Sequence, residues 1–206
     1  MSSAQIHSTQ SEGDAEPSSA PPCGAPGGTG HPLGAPSGLA PITFSRRARE
    51  FRESANVRDS RSFYFDLRLL EDYWLNRKYH HTISAPLIYA LQEALAAVGD
   101  EGLETRWERH RANHEELLAR LEMIHLRVLP PRGERLWSLN AVVVPPGVDE
   151  ARVRRDLLDE SNIEIGAGLG PLAGKIWRVG LMGSGSTRTN VELLTDALAR
   201  ALHAPD

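Results

Sequence analysis

Residues 77–84 read RKYHHTIS and bring hydroxyl, imidazole and cationic side chains together in one short segment. Tyr79 and Thr82 supply neutral hydroxyl groups, and Arg77 and Lys78 add positive charge. Side chains of these types bind phosphate through neutral and charge-assisted hydrogen bonds. A polar loop before a helix has the same composition, so the residues alone leave phosphate binding and a plain solvated loop both open.

A second candidate site is the glycine-rich segment 166–187, which reads GAGLGPLAGKIWRVGLMGSGST. Its spacing differs from a dinucleotide-binding fingerprint, and Pro171 and a predicted strand stand where a helix would have to begin. Within that strand Arg178 lies between Trp177 and Val179, and an arginine in such apolar surroundings needs an anionic partner. A structural Asp or Glu and a ligand carboxylate are both compatible with the sequence. The glycines that would allow tight turns and close backbone approach are Gly166, Gly168, Gly170 and Gly174.

The histidines do not predict a metal site. His110 and His114 lie one helical turn apart with Glu115 beside the second, which is not the order of the zinc-protease motif, and no third ligand is evident. His80 and His81 are adjacent, so in regular structure their rings would point in different directions and serve poorly as joint ligands. We therefore expect no bound metal.

Charge balance and cysteine content narrow the class of protein. The chain of 206 residues carries 27 acidic and 23 basic side chains, a formal net charge of −4, so no broad basic surface is available for nucleic acid. Cys23 is the only cysteine, which excludes an intrachain disulfide and fits a reducing compartment. No apolar run approaches the length of a membrane span, and the acidic N-terminus is unlike a transit peptide, so we expect a cytoplasmic protein. A local arginine cluster is interpreted as a solvated helix face: Arg46, Arg47, Arg49 and Arg52.

The first half of the chain predicts helices after a low-complexity start. Residues 1–36 are rich in Ser, Pro, Gly and Ala and almost lack large apolar side chains, so we expect them to be disordered. Apolar spacing predicts a helix over 63–74, a second one from Pro86 to Gly99, and then a longer one. Their apolar faces exceed what a small sheet could cover, which indicates a missing domain, a second subunit or both.

From residue 125 onward the pattern shortens and predicts a small α/β sandwich, with a largely antiparallel sheet and helices on one side. Strands are expected at HLRVLP, LWSLNAVVVP, NIEIGA and KIWRVGLM. Asp149 can cap the helix EARVRRDLLDES, and Thr189 with Glu192 has the spacing of a capping box for the last helix.

From about Leu33 to the end, the chain resembles the C-terminal part of the class V, pyridoxal-phosphate-dependent aminotransferases, most closely the alanine–glyoxylate and serine–pyruvate aminotransferases. The resemblance covers about four-fifths of the chain, and its segments occur in the family order. It implies a fold-type I dimer with a large cofactor domain and a small C-terminal domain. The segments that carry it are LGAPSGLAPITFS, FYFDL, YHHTIS, GLETRWERH, IEIGAGLG, AGKIWRVGLMG and TRTNVELLTDAL.

The resemblance also implies roles for particular residues. Tyr79 and Thr82 would reach the phosphate of the pyridoxal 5'-phosphate bound in the neighbouring subunit, and Arg178 would bind the carboxylate of the amino or keto acid substrate. Lys175 and the glycine-rich segment would shape the mouth of the site. In the family the LGAPSGLAP-like stretch follows the Schiff-base lysine, and that position falls on His31 here. An imidazole cannot form that bond, so the chain offers no catalytic residue.

By resemblance, then, the chain is an aminotransferase of the alanine–glyoxylate or serine–pyruvate type, present as a truncated fragment that is inactive alone. Its substrates would be an amino acid and a 2-keto acid, and its partner a second copy or another aminotransferase subunit. The expected division is a disordered, non-family segment at 1–36, a remnant of the large domain with interdomain helices at 37–108, and a small C-terminal domain at 109–206. Two alternatives stay open: a non-catalytic fragment that binds a full-length subunit, and the product of a truncated or frameshifted, decaying gene.

Overall fold

The computed structural model describes residues 33–39, 43–54 and 62–203. His31, Cys23 and nearly all of the segment expected to be disordered lie outside these ranges. Three single 3₁₀ turns, at Arg132–Glu134, Gly170–Leu172 and Gly183–Gly185, connect the later elements. In chain order the helices and strands are α1 (Arg46–Ser54), α2 (Leu67–Asn76), α3 (Ala85–Glu101), α4 (Leu103–Met123), β1 (Leu139–Val143), α5 (Glu150–Ser161), β2 (Gly166–Ala167), β3 (Ile176–Gly180) and α6 (Arg188–His203).

The three strands form an antiparallel sheet in the order β1–β3–β2. This small antiparallel sheet with its helices confirms the predicted α/β class. The buried apolar side chains of the sheet and of helices α4, α5 and α6 pack into one cluster. Trp177, Leu117 and Leu198 are fully buried in it. No helix within the described ranges is long and apolar enough to cross a membrane.

Helices α2 and α3 lie at different bounds from those predicted. Helix α2 begins at Leu67 because the Asp66 carboxylate accepts a hydrogen bond from the Arg68 backbone N–H at 2.9 Å, which is a typical N-cap. Helix α3 passes through Gly99, the expected stop, and ends before Gly102, whose φ of +81° breaks the helical path.

Two of the predicted strands are shorter than expected. In HLRVLP only Val128 pairs, in an isolated bridge to Val142, because Pro130 and Pro131 lack the N–H groups needed to continue the ladder. In NIEIGA only Gly166–Ala167 is a strand. The residues before it follow the end of α5, where Asn162 caps the helix with a left-handed backbone and the Ile163 N–H donates to the Leu157 carbonyl.

The expected capping box of the last helix is wrong, whereas the cap on α5 is confirmed. Helix α6 begins at Arg188, and its cap is the Thr187 hydroxyl, which accepts a hydrogen bond from the Asn190 N–H at 3.1 Å. Glu192 instead accepts from the Arg188 side chain at 3.0 Å, one turn along the helix. The Asp149 carboxylate accepts from two backbone N–H groups at the start of α5, as predicted.

Candidate functional site

Tyr79 and Thr82 lie in the loop of residues 77–84 that connects α2 to α3, and both side chains are exposed. The Tyr79 hydroxyl is 3.0 Å from the Thr82 hydroxyl, within hydrogen-bond distance. The loop begins where Arg77 takes a left-handed backbone, with φ of 55°, and closes α2 by an N–H bond to the Asp72 carbonyl. The two hydroxyl groups therefore face solvent side by side and can donate to one anionic group.

The two imidazoles between these hydroxyls are in contact, contrary to the expectation for adjacent residues in regular structure. Nδ1 of His80 lies 2.7 Å from Nδ1 of His81, and Nε2 of His80 lies 2.9 Å from the Phe63 carbonyl oxygen. The Phe63 ring stacks on His80 with centroids 4.4 Å apart, and Tyr64 packs on His81 at 4.9 Å. The loop is thus held against the aromatic turn that precedes α2.

Arg178 extends from β3 on the side of the sheet that faces away from the core. Its neighbours Trp177 and Val179 belong to the buried cluster, and alternation along a strand directs Arg178 to the opposite face. Its Nε donates to the Ala167 carbonyl at 2.7 Å. Among the described residues no Asp or Glu forms an ion pair with Arg178, so its two terminal amino groups are available to a ligand.

Small residues flank Arg178 in the sheet. Ala141 in β1 and Gly166 in β2 are its register partners on the two neighbouring strands. A Cβ atom on Gly166 would lie 3.1 Å from Nη2 and 3.3 Å from Cζ of Arg178, closer than ordinary van der Waals contact. The guanidinium therefore lies across the backbone of Gly166, and a side chain at that position would displace it.

Residues 168–175 of the glycine-rich segment form a tight loop between β2 and β3. A Cβ on Gly168 would lie 2.0 Å from the Leu172 carbonyl oxygen, so only glycine fits there. Gly170 and Gly174 take positive φ angles of +53° and +70°. Lys175 is exposed at the start of β3, where its side chain can contribute charge beside the loop.

A partly buried ionic cluster, which we call the Glu101 cluster (Glu101, Arg106, Arg109), was not predicted from the sequence. The Arg109 Nε donates to one Glu101 carboxylate oxygen at 2.5 Å, and the Arg106 Nη1 donates to the other at 2.8 Å. These hydrogen bonds, that from Arg109 above all, lower the pKa of Glu101 to about 2.

The Glu101 cluster ties distant parts of the chain together. Arg109 donates to the carbonyl oxygens of Ser186 and Gly183, in the turn after β3. Arg106 donates to the Leu33 carbonyl at 3.4 Å. Leu33, near the end of the segment that was expected to be disordered, thus contacts the cluster. GLETRWERH contains both arginines, but nothing in a single sequence links them to partners more than seventy residues away.

The helical histidines sit in structural roles. Nδ1 of His110 is 2.7 Å from the Arg106 carbonyl and donates to it. His114 is buried, and burial lowers the pKa of its imidazole. In the ranges that the structure describes, no three His, Cys, Asp or Glu side chains come together as metal ligands.

The structure keeps the predicted site residues in two groups. Tyr79 and Thr82 lie on the exposed loop before α3, whereas Arg178 lies on the sheet. No hydrogen bond or ion pair within the described ranges joins the two groups. They can serve one site only if other surfaces complete it.

Comparison with known proteins identifies strong relatives. The chain is 38% identical over 194 residues to an (S)-ureidoglycine–glyoxylate transaminase from Bacillus subtilis, with 85% of this chain and 47% of that protein covered. It is 39% identical over 179 residues to an alanine–glyoxylate aminotransferase from Callithrix jacchus, with 84% of this chain and 43% of that protein covered. No protein-family model matches the chain.

Solved structures agree with the sequence relatives. A crystal structure of an alanine–glyoxylate aminotransferase from Nostoc sp. matches with a TM-score of 0.81 and 44% identity, covering 85% of this chain and 46% of that chain. The chain thus spans about half the length of the curated relatives it matches. The resemblance found in the sequence is confirmed: over 85% of its length the chain is homologous to alanine–glyoxylate and ureidoglycine–glyoxylate aminotransferases, and its fold matches the C-terminal part of fold-type I aminotransferase structures.

Proposed function

We propose that this chain is the C-terminal part of a pyridoxal-phosphate-dependent aminotransferase that acts on a small amino acid and a 2-oxo acid of the alanine–glyoxylate or serine–pyruvate type. The observation that carries the proposal is Arg178. Its guanidinium lies on the open face of the sheet, flanked by Ala141 and Gly166, without a carboxylate partner among the described residues. A cation in that setting is suited to the carboxylate that amino and oxo acid substrates share.

Arg178 would hold the substrate through two parallel hydrogen bonds. The Ala167 carbonyl occupies its Nε and fixes the plane of the guanidinium. The two remaining Nη groups form a fork that matches a carboxylate. The fork neutralises the charge of the bound acid, and because it is planar it also fixes the orientation of that acid. Correct orientation of the reactants lowers the activation barrier of a bimolecular reaction.

The loop of residues 77–84 fits the cofactor phosphate. Tyr79 and Thr82 present two hydroxyl groups 3.0 Å apart to solvent, which suits a doubly charged phosphate that needs several donors. When bound, pyridoxal 5'-phosphate would supply the electron-withdrawing ring on which amino-group transfer depends. Tyr79 and Thr82 would hold its phosphate in the neighbouring subunit of a homodimer.

The chain alone should not catalyse the reaction. By resemblance the cofactor-binding lysine corresponds to His31, which lies outside the described residues. The only lysines of the chain are Lys78 and Lys175. Lys78 lies 3.5 Å from the Asp72 carboxylate, with which it forms an ion pair. We therefore expect that even His31→Lys would not give turnover.

We propose that the chain is divided into a non-family segment, a remnant of the large domain and a small domain. Residues 37–108 would be a remnant of the large domain with interdomain helices, and residues 109–206 would be the small domain. Residues 1–36 would be a non-family segment. The division at 108 falls inside α4, which runs from Leu103 to Met123 without a break. We propose a cytoplasmic location, in keeping with the single cysteine and the acidic balance of charge.

Activity in a completed enzyme tests the role of Arg178. The chain would be joined from Leu33 to the N-terminal half of the Nostoc aminotransferase, with its own lysine. In that hybrid Arg178→Ala should lower kcat/KM for alanine and glyoxylate by roughly 30- to 800-fold, which corresponds to about 2–4 kcal/mol. Arg178→Lys should restore little, because a point charge does not replace the fork.

The matched control in this hybrid is Arg155→Ala, which removes an exposed arginine on α5. It should leave kcat/KM within twofold of the parent. If Arg178→Ala also stays within twofold, Arg178 is a structural residue and the proposed substrate site is wrong.

A second candidate function is supported by the exposed apolar side chains of α2 and of the turn before it. Phe65, Trp74 and Leu75 are each more than 60% exposed. The chain would then be a non-catalytic fragment that binds an aminotransferase subunit. Co-purification with a tagged, full-length subunit from the source cell would favour it. Absence of both activity in the hybrid and co-purification would favour a decayed gene product.

A further inference from the structure

We propose that His80 and His81 are positioning residues for the Tyr79 and Thr82 hydroxyl groups. Their two imidazoles form a chain of hydrogen bonds, all donated in one direction, that ends on the Phe63 carbonyl and sets the conformation of the segment 79–82. The functional meaning of this role rests on the proposed binding of a phosphate by Tyr79 and Thr82.

The direction of the first hydrogen bond is fixed by chemistry. A backbone carbonyl oxygen only accepts, so Nε2 of His80, 2.9 Å from the Phe63 oxygen, must carry the proton. A neutral imidazole carries one N–H, so Nδ1 of His80 is left as an acceptor.

The second hydrogen bond follows from the first. Nδ1 of His81 lies 2.7 Å from Nδ1 of His80, and two bare nitrogens at that distance would repel each other. Nδ1 of His81 must therefore donate to Nδ1 of His80. In the neutral pair His80 is the Nε2–H tautomer and His81 is the Nδ1–H tautomer, and each tautomer is set by the partner of the other nitrogen.

Ring packing holds the pair in this geometry. Phe63 lies almost parallel to His80, with an interplanar angle of 11° and centroids 4.4 Å apart. Tyr64 and Tyr73 pack on His81 with centroid distances of 4.9 and 5.7 Å. His80 is buried, so the loss of either hydrogen bond would leave a buried polar atom without a partner.

The segment depends on these side chains because its backbone contributes little. Within the described ranges, the N–H groups of residues 79–83 donate no hydrogen bond to another backbone group. The imidazole chain therefore takes the place of the missing backbone bonds. Since Tyr79 and Thr82 directly flank the two histidines, the orientation of the imidazoles sets where the two hydroxyl groups lie.

The tautomers of the unmodified chain are the direct test. Nuclear magnetic resonance of the protein labelled with ¹⁵N-histidine, at about pH 8 where free imidazole is neutral, should show a protonated Nε2 on His80 and a protonated Nδ1 on His81. A protonated Nε2 on His81, or averaging between tautomers at either residue, would overturn the proposal. This measurement requires no substitution, so it does not depend on a variant that folds.

Two substitutions at His81 distinguish the effect of losing its Nδ1 hydrogen bond from the effect of losing the volume of the ring. An asparagine amide can occupy the place of Nδ1, whereas a glutamine amide reaches the place of Nε2. His81→Asn should keep the ring-nitrogen shifts of His80, and His81→Gln should change them and speed amide exchange of residues 79–82 at least tenfold. Equal behaviour of the two variants would contradict the proposal.

The control is His125→Asn, at an exposed residue whose φ of 60° an asparagine tolerates well. It should leave the His80 signals and the exchange of residues 79–82 unchanged. None of these readouts uses a cofactor. The experiments can therefore distinguish a failure of phosphate binding in the completed enzyme from a failure of the proposed hydrogen bonds of His80 and His81.

Discussion

The part of the chain before residue 117 (the first half) and the part from residue 117 onward (the second half) differ in how many buried apolar side chains they contain. Every residue of the buried apolar cluster lies between Leu117 and Ala201, in α4, α5, α6, the sheet and the segments between them. Helix α2 has no buried residue, and α3 has only Val98. A helix with an apolar stripe is stable when that stripe packs against another element. The apolar side chains of the first helices are therefore buried much less deeply than those of the later elements.

The side chains left open in the first half are large. Leu75 is 76% exposed, and Phe65 is 71% exposed. Exposed apolar side chains of this size mark a docking surface when they lie together in one patch. The chain covers 46% of the Nostoc relative. Under the proposed function, the rest of that fold would cover this surface.

The largest difference between the halves should appear in truncations of single side chains. Trp177→Ala removes a fully buried ring from the core and should cost about 3–5 kcal/mol of the free energy of unfolding. Leu75→Ala should change that free energy by less than about 0.5 kcal/mol. Urea unfolding followed by circular dichroism measures both. Comparable losses would show that the first half has a core of its own.

Substitutions in the glycine-rich loop of the second half should lower stability, by an amount that depends on the position. Gly168→Ala places a Cβ 2.0 Å from the Leu172 oxygen, so the loop must be rebuilt and we expect a loss of about 3 kcal/mol. Gly174→Ala meets no neighbour and bears only the strain of its positive φ, about 1 kcal/mol. Thermal unfolding of the two variants ranks them, and the reverse order would contradict the geometry of the loop.

The Glu101 cluster joins the two halves. Disrupting it should therefore lower the free energy of unfolding by an intermediate amount. Glu101→Gln removes the charge that both arginines bind and should cost about 2 kcal/mol at neutral pH. Because the pKa of Glu101 falls from 4.5 to about 2 on folding, its contribution is complete above the unfolded pKa. It is lost as pH falls through the folded pKa.

Unfolding free energies of the parent and of Glu101→Gln should therefore converge between pH 4.5 and about 2. Glu104→Gln, at an exposed carboxylate three residues along, is the matched control and should show no such convergence. A constant difference between parent and Glu101→Gln across this range would mean that the cluster acts through packing rather than charge.

One substitution in the first half should increase stability by a small amount. Gly99 lies inside α3 with open space around it. Gly99→Ala should stabilise the helix by about 0.5–1 kcal/mol, since glycine is the poorer helix former. Far-ultraviolet circular dichroism during thermal unfolding would detect it. A loss would indicate that Gly99 meets a partner surface that the chain alone does not show.

The family and fold could be predicted because many short segments occur in one order, and each constrains the others. The apolar pattern of HLRVLP predicted too long a strand. Pro130 and Pro131 limit its pairing to one bridge. The Glu101 cluster was beyond prediction, because Arg109 finds its partner turn through the fold and not through spacing. The roles of Tyr79, Thr82 and Arg178 remain predictions.

Amide hydrogen exchange along the chain tests the contrast between the halves most directly. It would be measured on the chain alone and after mixing with the separately expressed N-terminal half of the Nostoc aminotransferase. The account predicts strong protection in residues 117–201 in both samples, and protection of residues 67–101 that rises at least tenfold on mixing. Equal protection of the two halves in the chain alone, with no change on mixing, would contradict it.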